Sequence, residues 1–179
     1  MMNAAWAELL PRGARWHTTS ATDSRAPVVA HGAAGEPLWP AGIVGSVTHA
    51  DGYRIIATAP ADRVATLGID MEPLAPLPAE VWPHFLDGDE LAELRALPAP
   101  QRGLAALSLW CLKEALFKAL NGRVPFDCLP LRHESGRWRP AVTLWHRLPG
   151  FGLDPARLEL KTTSTDGWQY AAAWQHNNA

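Results

Sequence analysis

Short apolar runs rich in β-branched residues, broken at regular intervals by turn residues, set the pattern of this chain from residue 42 onward. Residues 43–48 and 53–58 read as strands, and the Asp51-Gly52 step between them is a hairpin signal because both residues tolerate positive φ. A third strand spans 64–72 and stops at Pro73, which cannot donate to a ladder. Upstream, residues 11–40 are rich in Pro, Gly, Ala, Ser and Thr and support at most short strands at 14–17 and 27–30. The segment 73–83 carries four prolines and reads as an extended connection.

Helical periodicity follows. Asp87 can cap a helix whose Glu90, three residues on, answers it in a capping box, and Pro98 and Pro100 set the end. A second helix is predicted over 101–121, with Gly122 placed for a left-handed C-terminal cap. Beyond it, 131–139 reads as a hairpin around Ser135-Gly136, and 141–147, 158–163 and 168–174 read as strands, the last two joined at Asp166-Gly167. The expectation is an α+β chain of antiparallel strands and few helices, with no visible repeat.

The helix over 101–121 is apolar on nearly every side, which marks it as buried. It nevertheless carries Lys113, Glu114 and Lys118, and ionised groups in such a setting need partners or a bound ion. Glu114 and Lys118 are four apart, so a simple ion pair at a surface edge of the helix accounts for those two. In the strand over 64–72, however, Asp70 and Glu72 point to the same side, ~7 Å apart along the strand. Like charges so placed repel unless a cation lies between them or one is protonated. Hard oxygen ligands suit Mg²⁺. With Glu114 as a third carboxylate and Lys118 facing phosphate oxygens, the residues point to metal-assisted transfer of a phosphate ester.

Composition narrows the partners. The chain has 179 residues, 47% of them hydrophobic, enough for one substantial core or two small lobes. A net charge of -2 gives no overall positive field for nucleic acid or an anionic membrane. Residues 1–10 include Trp6, Leu9 and Leu10 but form neither a leader nor a membrane span, so a cytoplasmic protein is expected. Cys111 and Cys128 form no CxxC pair and read as buried free thiols. Nine tryptophans spread along the chain read as core, and the seven histidines include no i, i+4 pair for a helical zinc site.

Two motifs then carry a resemblance. Leu67-Gly68-Ile69-Asp70-Met71-Glu72, followed about forty residues later by Trp110-Cys111-Leu112-Lys113-Glu114-Ala115-Leu116-Phe117-Lys118-Ala119, resembles the paired (V/L)GxDxE and WxxKEAxxKA signatures of 4′-phosphopantetheinyl transferases of the Sfp and EntD type. Upstream, the run from Trp39-Pro40 through Ser46 to Thr48-His49 is similar to the stretch before the first core strand in EntD-like members. The resemblance covers residues 36–121 well and the later strands in pattern only. It implies a pseudo-symmetric two-lobe α+β fold with antiparallel sheets, here a reduced N-terminal lobe over 1–62 and a second lobe over 63–179 carrying the motifs.

The same resemblance implies transfer of 4′-phosphopantetheine from coenzyme A to a serine of an acyl or peptidyl carrier protein, with Mg²⁺. Asp70 and Glu114 are implied as metal ligands, and Glu72 as a third or as acting through water. Glu114, or a water it orients, is implied to take the serine proton; Lys118 to stabilise the pyrophosphate; and Lys113 to help more weakly. Thr48 and His49 match the family's contact to a phosphate of coenzyme A, although His49 alone reads as a capping or core histidine. Family members carry a basic helix before the Trp-Pro segment. Here 18–29 stand in its place with one basic residue, Arg25, so the first lobe is expected to leave its sheet partly uncovered, as a monomer or a homodimer. The alternative is a transferase-like scaffold redirected to another coenzyme A-like or carrier-bound substrate, or a non-catalytic carrier-binding module.

Overall fold

Asp51 and Gly52 take the left-handed conformation, φ 45° and 77°, that a tight hairpin turn requires. In the computed structural model, which describes residues 2–20, 23, 29–33 and 35–177, this turn joins β4 (Ile43–Ala50) to β5 (Tyr53–Pro60). Numbering in chain order, β1 (Arg15–Ser20) pairs with the other side of β5, giving an antiparallel sheet in the order β1-β5-β4. β2 (Ala30–His31) and β3 (Pro37–Leu38) form a separate two-stranded ribbon.

A second antiparallel sheet has the order β6-β10-β9, from β6 (Val64–Pro73), β9 (Leu158–Thr165) and β10 (Trp168–His176). Its β9-β10 hairpin turns at Asp166 and Gly167, again both at positive φ. β6 is an edge strand, and a bare edge is a hazard. β4 runs alongside it, and the Ser46 hydroxyl accepts the Ile69 N–H at 3.0 Å, so a side chain answers the edge where no strand pairs.

Before α2 (Gly88–Ala96), Asp87 accepts the Glu90 N–H at 2.7 Å while Glu90 accepts the Asp87 N–H at 2.8 Å, the expected capping box. α3 (Ala99–Ala119) starts two residues earlier than the sequence suggested, because Pro100 sits in the first turn, where its missing N–H costs no helical bond. α3 lies directly on the second sheet. A Cβ added to Gly68 would come within 1.9 Å of the Ala115 carbonyl oxygen and 2.6 Å of the Ala119 nitrogen, so only glycine admits this approach. One core fills the space between α3 and the sheet, including Leu112, Leu116, Leu160 and Ala173; another lies between the two sheets and α1 (Met2–Leu9), including Trp6, Ile55, Ile69 and Tyr170.

Three expectations need correction or completion. Residues 141–147 are not a strand: α4 (Val142–Trp145) lies within them and a 3₁₀ turn over Leu148–Phe151 follows, because buried Leu144 and Leu148 recur at helical spacing. α1 was not foreseen, although Ala5, Trp6, Leu9 and Leu10 form a helical stripe that is now buried. The Pro-rich connection ends in a 3₁₀ turn over Ala79–His84. The hairpin of β7 (Leu131–Glu134) and β8 (Arg137–Pro140) is as expected, with Ser135 and Gly136 at positive φ. Arg25 and residues 27–28 of a strand candidate lie outside the described residues. Among the described residues, no helix is long and apolar enough to cross a membrane.

Two measurements follow. Gly68→Ala should destabilise the chain by ~1–3 kcal/mol or more in denaturant melts, since backbone atoms of α3 must retreat. Asp87→Ala should cost about 1 kcal/mol at neutral pH. Burial favours the protonated Asp87, but the Glu90 N–H and the Arg132 guanidinium prevail and hold its carboxyl below the ordinary 3.8. Its stabilising contribution is therefore complete above that pH and fades below it, so the gap between Asp87→Ala and wild type should narrow in melts below pH 3.8.

Candidate functional site

The α3-facing side of β6 presents Gly68, Asp70 and Glu72 in succession, two residues apart. Because the α3 backbone rests on Gly68 at Ala115 and Ala119, the residues just before these, Glu114 and Lys118, reach the rim of the contact beside Asp70. Lys118 Nζ donates to Asp70 Oδ1 at 2.7 Å and lies 3.9 Å from Glu114 Oε2. From the first sheet, the Thr48 hydroxyl donates to the same Asp70 Oδ1 at 3.0 Å. Asp70 is buried, whereas the side chains of Lys118 and Glu114 keep 28% and 26% of their exposure and so remain open to a ligand.

Negative charge exceeds positive here. Burial, then the neighbouring Asp70 and Glu114 carboxylates, raise the Glu72 carboxyl, against Lys118 and the Trp110 indole, which donates to it. Burial also raises Glu114, with Lys118 opposing and Asp70 adding to the effect. The buried Cys111 thiol is pushed far up by burial and by Asp70 and Glu72, so it stays protonated. Asp70 Oδ2 is buried without a conventional hydrogen-bond partner. A buried carboxylate oxygen left over in a cluster of three acids suits a hard divalent cation. As arranged, however, no three His, Cys, Asp or Glu side chains among the described residues form a cluster able to hold a metal ion. The Lys118 ammonium stands between Asp70 and Glu114.

Of the residues singled out from sequence, Asp70, Glu72, Glu114 and Lys118 share one locality. Lys113 does not join them. Its ammonium is fully buried, 2.7 Å from Glu90 Oε2 and 2.5 Å from the Phe85 carbonyl oxygen. Glu90 Oε1 in turn accepts the Leu131 N–H at 2.7 Å, so this pair ties α3 to the start of α2 and to β7. Thr48 and His49 leave opposite sides of β4: Thr48 supports Asp70, and His49 is exposed. Sequence reasoning missed Ser46 and Thr48 as supports of β6, Cys111 as a neighbour of Asp70, and Glu90 as the partner of Lys113. Ser46 and Thr48 alternate with Val47 and His49, and that period was the available signal. Trp110 also begins an aromatic row along α3, with centroids 5.2 Å to Phe85 and 5.0 Å to Phe126.

Two open clefts lie apart from this site. One of about 540 Å³ lies between the start of the chain and the β8-β9 edge, and one of about 680 Å³ lies on the outer side of the first sheet near Trp39.

The 4'-phosphopantetheinyl transferase superfamily model matches residues 66–151, and the 4'-phosphopantetheinyl transferase N-terminal domain model matches residues 14–59. Together they take in both sheets' motif strands and α3, and the chain belongs to the 4'-phosphopantetheinyl transferase superfamily. Among curated relatives, the 4'-phosphopantetheinyl transferase Npt of Nocardia iowensis is 42% identical over 93 residues, covering 51% of this chain and 40% of that protein. The transferase PptT of Mycobacterium tuberculosis is 36% identical over 138 residues, covering 75% of this chain and 48% of that one. Enterobactin synthase component D of Salmonella typhimurium is 30% identical over 131 residues, covering 71% and 53%. The chain thus spans about half the length, or less, of the curated relatives it matches. A solved holo-ACP-synthase from Plasmodium yoelii overlaps 65% of this chain and 97% of its own, with a TM-score of 0.46 and 15% identity.

The two lysines of α3 separate in a stability experiment. Lys113→Met should cost ~3–5 kcal/mol, because it strands the buried Glu90 charge. Lys118→Met should cost much less, because its ammonium is partly in water.

Proposed function

We propose that the chain transfers 4′-phosphopantetheine from coenzyme A to a serine hydroxyl of an acyl or peptidyl carrier protein. The observation that carries this reading is the meeting of Asp70, Glu114 and Lys118 at one partly open site, where the two superfamily signatures fall. In the reaction, the serine oxygen bonds to the phosphorus that bears the pantetheine arm. The bond from that phosphorus to the bridging pyrophosphate oxygen breaks, and adenosine 3′,5′-bisphosphate departs with the electron pair.

The chain's own groups suit these steps. Glu114, made more basic by burial, takes the serine proton directly or through a water. Lys118 offers its ammonium to the pyrophosphate oxygens. Thr48 fixes the Asp70 carboxylate from the first sheet, and exposed His49 contacts a phosphate of coenzyme A. Asp70, through its unpartnered Oδ2, and Glu114, with Glu72 directly or through water, would hold Mg²⁺, which when bound screens the charge of the pyrophosphate. Lys113 acts at a distance, by fixing α3 against the Phe85 segment.

The test is incubation of the purified chain with coenzyme A, Mg²⁺ and a set of apo carrier proteins, read by mass spectrometry. Wild type should add the phosphopantetheine mass to a carrier serine, and Asp70→Ala or Glu114→Gln should slow this by ~100-fold or more. A redirected scaffold, the second reading, is favoured by the single basic residue, Arg25, between Thr18 and Val29. Carrier binding without any mass gain would establish that reading and end the first.

A further inference from the structure

Between two carboxylates of the site stands an ammonium of the protein itself. Lys118 Nζ lies 2.7 Å from Asp70 Oδ1 and 3.9 Å from Glu114 Oε2, the two carboxylates that the proposed function assigns to the metal. Asp70 Oδ1 also accepts from Thr48, so that oxygen is already doubly engaged. A divalent cation arriving between Asp70 and Glu114 meets an ammonium of like sign at close range, and both cannot keep the same oxygens.

The two partners of this ion pair differ in freedom. Asp70 is fixed on β6, paired to Ala171 of β10, tied to Thr48 and buried. Lys118 has a long flexible stem, lies in the last turn of α3 and keeps 28% of its side-chain exposure. The lysine is therefore the group that moves. Its departure leaves the neighbouring carboxylates Asp70, Glu72 and Glu114 without the ammonium that stands between two of them, so that like charges face one another uncompensated. Leaving toward water alone is thus unfavourable, and leaving toward an anion is not.

Resting on the reading of Asp70 and Glu114 as metal ligands, we infer that Lys118 is a resident counter-ion that holds the metal carboxylates closed until the phosphates of coenzyme A draw its ammonium away. The anion and the divalent cation then enter together: each raises the affinity for the other by the same factor. The lysine prevents the free protein from holding metal tightly and contributes its charge to the phosphates only once they arrive.

The experiment is Mn²⁺ binding, followed by electron paramagnetic resonance and calorimetry, with and without coenzyme A. It uses wild type, Lys118→Met, Lys118→Arg and Asp70→Asn, each checked for folding by circular dichroism. Lys118→Met should bind Mn²⁺ about tenfold more tightly than wild type without coenzyme A, and should lose most of the enhancement that coenzyme A gives wild type. Lys118→Arg, which keeps the charge, should behave as wild type. Mn²⁺ binding that Asp70→Asn abolishes but Lys118→Met leaves unchanged or weakens would overturn the inference and leave the proposed metal ligands standing. Absence of Mn²⁺ binding in every form, with or without coenzyme A, would overturn both.

Discussion

The architecture of the site depends on one missing methyl group. At Gly68 the backbone of α3 approaches β6 so closely that any side chain would penetrate the Ala115 carbonyl oxygen. The contact fixes two spacings at once. Asp70 is two residues from Gly68 and so faces the helix, while Glu114 and Lys118 precede Ala115 and Ala119, the two residues that rest on the glycine. A strand period of two and a helical step of four are thereby locked in register, and the acid on the sheet meets the acid and the base on the helix.

The same helix carries two lysines with opposite fates. Residues 113 and 114 are adjacent and project about 100° apart around the axis. Glu114 therefore opens onto the site while Lys113 turns into the protein, where it meets Glu90 and the Phe85 carbonyl. Burial lowers the Lys113 ammonium and Glu90 opposes that shift, as expected for a charge kept inside by a partner. Neighbouring letters of one motif thus divide into a fastening and a reactive edge. The fastening ties α3 to α2 and β7, and the edge is held from the other sheet through Thr48.

Much of this was legible from sequence where local chemistry decides conformation. The Asp51-Gly52, Ser135-Gly136 and Asp166-Gly167 turns, the Asp87 capping box and the left-handed Gly122 were all readable, because each needs only its own few residues. The shared side of Asp70 and Glu72 was readable from alternation, and Glu114 and Lys118 from helical spacing. What failed was non-local. Lys113 shows no sign in the sequence of its pairing with Glu90, and the strand expected over 141–147 gave way to α4 because Leu144 and Leu148 found a common core. α1 was passed over because its stripe is short and gains its burial from strands distant in sequence, β9 and β10 among them.

β10 lies in the middle of the second sheet, between β6 and β9, although it is the last strand in the described chain. During translation, then, β6 emerges with its acids long before its central neighbour exists. Until residues 168–176 have left the ribosome, Asp70 has no Ala171 beside it and the strand has no ladder partner on that side. The nascent polypeptide must wait for the β9-β10 hairpin before β6 can take its place in the sheet.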